Sequence, residues 1–210
     1  MRWIMKTKQE EFWKNEFGND YIDRNRGDIL LASNTSFFST IVERTGLLSS
    51  VLELGCNVGM NLKALRRLLP DCNLTGVEIN DTAAEQLGDW GEAEVILDSI
   101  LEVDIQKTFS FTFTKGVLIH INPDYLSEVY RRLYDYSERY ILVAEYYNPV
   151  PVSINYRGHT DCLFKRDFAG EMMDIYPDLM LVDYGFLYHK DPAFPQDDIT
   201  WFLMEKGQID

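Results

Sequence analysis

Residues 50–55, SVLELG, form a short apolar run ending in glycine, and directly after it Val58, Leu62, Leu65 and Leu69 recur at spacings of four, three and four until Pro70. The spacing therefore passes from strand-like to helix-like within a few residues. A chain that does this has a strand feeding straight into a helix that packs back onto its own sheet. The junction reads Glu53-Leu54-Gly55-Cys56-Asn57-Val58-Gly59. Gly55 lets the backbone turn tightly and Gly59 lets the helix and a ligand come close, while the new helix offers unpaired N–H groups at its start.

The alternation continues along the chain. NLTGVEIN (73–80) predicts a second strand, and a helix from near Asp81 buries Ala83, Ala84 and Leu87. AEVIL (93–97) and the aromatic FSFTFTKGV (109–117) predict two more strands. Asn122 followed by Pro123 starts a helix striped by Leu126, Val129, Tyr130 and Leu133. RYILVAEYY (139–147) reads as a buried fifth strand. The next stretch, NPVPVSINYRGHTDCLF, has two prolines, a glycine and little periodicity, and is expected to be a long loop or lid over 148–163. A helix from about Arg166 to Tyr176 precedes two strands, 179–189 and 199–206, joined by the turn-rich DPAFPQDD as a hairpin. The expected fold is α/β, a mostly parallel sheet covered by helices. It is expected as one domain over 1–210, with a helical cap at 1–45 and a Rossmann-like core at 46–207.

Charge limits the function. With 20 Lys plus Arg against 34 Asp plus Glu the net charge is −14, which disfavours nucleic acid, since affinity for phosphates comes largely from clustered cations. Cys56, Cys72 and Cys162 form no CxxC pair, so reduced thiols and no metal site are expected. The N-terminal residues lack the apolar run of a signal peptide and no stretch is long enough for a membrane span, so a cytoplasmic protein without a membrane partner is expected.

Nineteen residues after Gly59, Glu78 ends the second strand, where a carboxylate can accept hydrogen bonds from both hydroxyls of a ribose. Asp98, beside Ser99 at the end of the third strand, is placed to meet an adenine amino group. These residues resemble the class I S-adenosylmethionine-dependent methyltransferases, over about residues 45–207. The resemblance implies sheet order 3-2-1-4-5-7-6 with strand seven antiparallel, and S-adenosylmethionine as cofactor, leaving S-adenosylhomocysteine. The expected cofactor contacts are Glu53, Gly55, Cys56, Asn57, Gly59, Glu78, Ile79, Asp98, Ser99 and Lys115. Asn57 stands where many members have a middle glycine, but asparagine tolerates positive φ. The start of strand four, at Phe109, lacks the acid that members often carry. Over nearly the whole chain, TKQEEFWKNEFGNDYIDRN, VLELGCNVGMNL, FTKGVLIHINPD, AEYYNPVPVSINYRGH, KRDFAGEMMDIYPDLMLVDYGFLYH and DPAFPQDDITWFLMEK are similar to small methyltransferases associated with pseudaminic acid biosynthesis.

Methyl transfer from a sulfonium is an in-line displacement, so the enzyme chiefly positions the acceptor atom. His120, just past strand four, can take a proton from a hydroxyl or ammonium acceptor, or it orders the loop. Glu145 and Tyr146 end strand five on the opposite lip, Glu145 to bind or deprotonate an amine and Tyr146 with Asn148 to orient it, core-edge packing being the competing account for Tyr146. In the N-terminal cluster Phe12, Trp13, Phe17, Tyr21, Arg24 and Asn25, the first and third are expected to pack a cap, and Tyr21 and Arg24 to hold the cofactor's carboxylate. Arg157, His159, Lys165 and Arg166 are candidates for an anionic acceptor such as a carboxylated sugar or its nucleotide conjugate, with solvated cations the competing account. Asp197 and Asp198 read as turn residues. The expected function is methylation of a small polar, sugar-related acceptor, the only partner implied. The alternatives are an amino-acid or other metabolite acceptor, or a non-catalytic nucleotide-binding subunit.

Overall fold

The computed structural model describes residues 7–15, 18, 22, 27–156 and 159–207, with backbone alone for 155, 156 and 159–162. Helices α1 (Lys8–Lys14) and α2 (Asp28–Thr45) come before the sheet. The alternating part runs β1 (Ser50–Leu54), α3 (Met60–Leu68), β2 (Asn73–Glu78), α4 (Asp81–Trp90), β3 (Glu94–Leu97), β4 (Phe109–Lys115), α5 (Leu126–Asp135) and β5 (Ser137–Glu145). It is followed by β6 (Val152–Tyr156), β7 (His159–Lys165), α6 (Phe168–Ile175), β8 (Leu179–Leu187) and β9 (Ile199–Lys206).

Seven strands form one sheet in the order β3-β2-β1-β4-β5-β9-β8. Counting only these strands, the order is 3-2-1-4-5-7-6, with β9 antiparallel to both neighbours and the others parallel. This is the expected arrangement. The central strands are buried on both faces, which is why they read as apolar runs. Side chains alternate between faces: along β5, Ile141 and Val143 join Leu52, Leu54, Val129 and Met172 on one side. Tyr140, Leu142 and Ala144 join Phe38, Leu62, Leu65 and Phe113 on the other. Helix α2 lies on this second face beside α3, its Phe38 ring 5.2 Å from Phe113.

The helix starts follow the local signals. The Asn80 side chain accepts the Ala83 N–H at the head of α4, and that of Asn122 caps a short 3₁₀ turn, Pro123–Tyr125, leading into α5. One expectation fails. Residues 148–163 are not a structureless loop, because β6 and β7 pair antiparallel as a separate hairpin, Ile154 opposite Leu163 and Tyr156 opposite His159. The prolines at 149 and 151 stand before β6, and Val152, Ile154 and Tyr156 alternate with polar residues as a strand should. Leu163 is buried with Leu118 and Ile119, so the hairpin seats against the turn that carries His120.

Candidate active site

The turn after β1 has three positive-φ residues, Gly55 at 79°, Asn57 at 48° and Gly59 at 75°. Space as well as φ demands glycine at the outer two: a Cβ on Gly55 would lie 2.7 Å from Val117 Cγ2, and one on Gly59 would lie 2.3 Å from Leu87 Cδ1. Asn57 is held by its own side chain, whose Oδ1 accepts the Val58 N–H at 2.7 Å. The Asn57 amide donates to Glu78 Oε2 at 2.7 Å, and Ile79 and Asn80 donate to Glu78 Oε1 at 3.0 and 2.8 Å. Burial raises the Glu78 pKa while these three amides work against that shift.

Beneath the turn Glu53 is 1% exposed. Its Oε1 accepts from Asn61 Nδ2 at 2.6 Å, but its Oε2 has no hydrogen-bond partner among the described residues. Burial pushes its pKa to about 8. Lys115, at the end of β4, is the only lysine or arginine lining the cavity among the described residues. Burial lowers its pKa, against the opposing fields of Glu53, Asp197 and Glu145.

These groups line one cavity of about 640 Å³ across the carboxyl ends of the strands, within the range of ligand sites. Thr7, Glu10 and Trp13 of the N-terminal segment close it on one side. Helix α1 begins with a Thr7–Glu10 capping box, Glu10 Oε1 accepts from Ser99 Oγ, and Asn80 Nδ2 donates to the Trp13 and Lys14 carbonyls at 3.3 and 3.2 Å. The Trp13 ring lies 4.6 Å from the His120 imidazole. His120 is 8% exposed, in a 3₁₀ turn at Leu118–His120.

Of the residues expected from sequence, the cavity brings together Glu53, Gly55, Cys56, Asn57, Glu78, Ile79, Ser99, Lys115, His120 and Tyr146. Gly59 is the N-cap of α3, behind the wall. Asp98 turns onto the Ser99 amide at 2.5 Å, and the cavity is lined there by Ser99, Ile100 and Leu101. Glu145 differs most from its expected role. It is 2% exposed and does not face an acceptor, since its Oε1 takes the Val117 and Leu118 amides at 2.8 and 2.9 Å. Ending a central strand, it is buried by its neighbours and held through Oε1 by the loop it pins, while its Oε2 has no hydrogen-bond partner among the described residues. Asn148 bonds the Val150 carbonyl and Arg166 pairs with Glu171 at 2.7 Å; neither lines the cavity. Lys165 lies over the Tyr146 ring at 5.1 Å. Tyr21, Arg24 and Arg157 lie outside the described residues, as does the side chain of His159. Among the described residues no cluster of His, Cys, Asp or Glu could hold a metal, and no helix is long and apolar enough to cross a membrane.

Several lining residues are not marked as site residues by the sequence. Trp13 stands in the N-terminal aromatic and polar cluster with no role of its own, and His189 and Gln196 sit in the 188–198 connection between β8 and β9, which carries no periodicity. Asn34 had one available signal, a polar residue between Leu30 and Phe38 at helical spacing. Arg132 supports the floor, donating to the Leu101 and Val103 carbonyls at 2.8 and 3.1 Å.

No family model matches the sequence, and no curated protein matches it. Solved structures do match in fold. The 1,6-didemethyltoxoflavin-N1-methyltransferase of Burkholderia thailandensis, with 1,6-didemethyltoxoflavin and S-adenosylhomocysteine bound, superposes with a TM-score of 0.70 at 14% identity, covering 99% of this chain and 94% of that one. Magnesium protoporphyrin IX methyltransferase from Synechocystis, with bound S-adenosylhomocysteine, gives 0.68 at 12% identity over 94% and 97%. The plantazolicin methyltransferase in complex with S-adenosylhomocysteine gives 0.67 at 14% identity over 95% and 94%. The chain has the class I methyltransferase fold.

Proposed function

We propose that this chain is an S-adenosylmethionine-dependent methyltransferase acting on an amino or hydroxyl group of a small polar acceptor. Its similarity to proteins associated with pseudaminic acid biosynthesis points to a sugar-related molecule. The observation that carries the reading is the joining of turn and acid: Glu78 accepts the Asn57 amide at 2.7 Å, so the ribose-binding carboxylate and the glycine turn form one unit at the cavity wall.

The residues present fit the cofactor. Glu53 Oε2, buried without a partner, is the acceptor a methionine ammonium needs, Glu78 suits ribose hydroxyls, and Ile79, Ile100 and Leu101 provide apolar walls for a base. When bound, S-adenosylmethionine supplies a methyl carbon that an acceptor lone pair attacks while the C–S electron pair leaves on sulfur. The protein's own part is then to hold the acceptor in line, exclude water and take a proton. Trp13 and the α1 segment cover the cavity, and the hairpin's Leu163 closes it beside His120. His120 is the residue on this wall suited to accept the acceptor's proton, with Trp13 fixing its ring. His120→Ala should lose methyl transfer by roughly 10²-fold or more with S-adenosylhomocysteine affinity kept. Loss of both together would assign His120 to the fold instead.

A further inference from the structure

Gln196 and Asn34 line the cavity and are 7% and 2% exposed, yet Gln196 Oε1 and Asn34 Oδ1 have no hydrogen-bond partner among the described residues. For Gln196 the orientation is fixed, because its Nε2 donates to the Ser33 carbonyl at 3.0 Å. The oxygen must then be the end left over. The same bond brings Gln196 beside Asn34, the next residue of α2. A buried amide oxygen without a donor costs free energy, and two cavity-lining residues that each carry such an atom are the mark of a site whose donors arrive with a ligand.

The pair does not belong to the cofactor half. Gln196 precedes β9, whose Thr200 pairs with Glu145 at the end of β5, whereas the glycine turn and Glu78 sit over β1 and β2. The charges of this half are known. Asp197 lines the cavity next to Gln196, and Lys115, the single lining ammonium among the described residues, lies in the fields of Asp197, Glu53 and Glu145. Arg166 is taken by Glu171.

We propose that Gln196 and Asn34 are the recognition end of the acceptor pocket and that they select an amine, a small polar molecule presenting N–H donors, over a carboxylate or phosphate. A hydroxyl carries one proton and can satisfy only one of these oxygens, while an amino or ammonium group carries enough for both, and Asp197 beside Gln196 favours the cation. An ammonium must first give up a proton, which His120 takes, before its lone pair forms the N–CH₃ bond as the C–S bond breaks with its electron pair left on sulfur; a neutral amine attacks directly and passes its extra proton to His120 afterwards. This inference rests on the methyltransferase reading, and its test separates the two.

Calorimetry of the wild type with S-adenosylhomocysteine is run first; absence of heat would count against the methyltransferase reading itself. On the saturated protein, ligand-observed NMR then compares matched probes, 2-aminoglucose with glucuronate and ethanolamine with glycolate. The amines should bind in preference. Gln196→Leu should weaken them about tenfold, and Asn34→Leu should act likewise, with S-adenosylhomocysteine affinity within about twofold in both. Asn34→Leu removes an unsatisfied buried oxygen, so Tm of that ligand-free variant should hold or rise, whereas Gln196→Leu also gives up the Nε2 bond to the Ser33 carbonyl and should lower Tm by no more than a few degrees. Preferential binding of the carboxylates, no binding of the amines, amine binding indifferent to both substitutions, or a Tm fall beyond about 5 °C in both variants would overturn the proposal.

Discussion

The backbone N–H of Asn57 donates to Glu78 Oε2 at 2.7 Å, across 21 residues of sequence. This bond makes the carboxylate part of the turn it serves, and two further amides complete its shell. Glu78→Ala should therefore fail twice. It should lower the unfolding free energy by about 2–3 kcal/mol, because three buried donors lose their acceptor, and reduce S-adenosylhomocysteine affinity by roughly 10²-fold. Glu78→Gln, which keeps one acceptor oxygen, should lie between. Urea melts and calorimetry measure both; unchanged affinity in Glu78→Ala would remove Glu78 from the binding site.

The three positive-φ residues of the turn should respond differently to substitution. Gly59→Ala drives a Cβ to 2.3 Å from Leu87 Cδ1 at φ +75° and should cost about 2–4 kcal/mol. Asn57→Gly releases a strained φ but loses the Oδ1 bond to the Val58 amide, so its stability should stay within about 1 kcal/mol of wild type. Equal effects of the two substitutions in denaturant melts would contradict this geometry.

Stability should fall as pH rises through neutrality. Burial raises Glu53 from its ordinary 4.5 to about 8 and Glu145 to about 7. Between the ordinary and the raised values the folded chain holds protons that the unfolded chain has released, so each group contributes a loss of about 1.4 kcal/mol per pH unit over that window. The lowered carboxylates Asp183, Asp191 and Asp198 act below their ordinary 3.8 and do not offset this. Urea midpoints of the ligand-free protein should drop from pH 5 to pH 8, and Glu53→Gln should flatten the upper part of the slope. A midpoint that rises over this range would show that Glu53 is ionised in the folded state.

Trp13 and His120 approach within 4.6 Å, ring to ring, and join α1 to the far lip of the cavity. Trp13→Ala should reduce methyl transfer at least tenfold by loosening the imidazole and admitting water, while Tm falls by only a few degrees, because α1 keeps its Asn80 and Ser99 anchors. Transfer at the wild-type rate would leave the stack without a catalytic role.

What could be read from the sequence follows the range of the interactions involved. The Gly55–Gly59 turn, Glu78 and the strand order all rest on local periodicity or on a family likeness, and the sheet follows them. Glu145 ends a strand and so has the sequence position of a cleft residue, and only the fold shows the Val117 and Leu118 amides closing on it. The β6–β7 hairpin was hidden by its prolines, which mark the approach to the strand and not its interior. Gln196 carries no local pattern at all, because its role comes from a carbonyl 163 residues away.

The most direct test of the account is a calorimetric titration of the purified protein with S-adenosylhomocysteine, with a nicotinamide dinucleotide as control. The account predicts saturable one-site binding of the former, lost in Glu78→Ala, and no heat from the dinucleotide. Binding of the dinucleotide with no response to S-adenosylhomocysteine would contradict it.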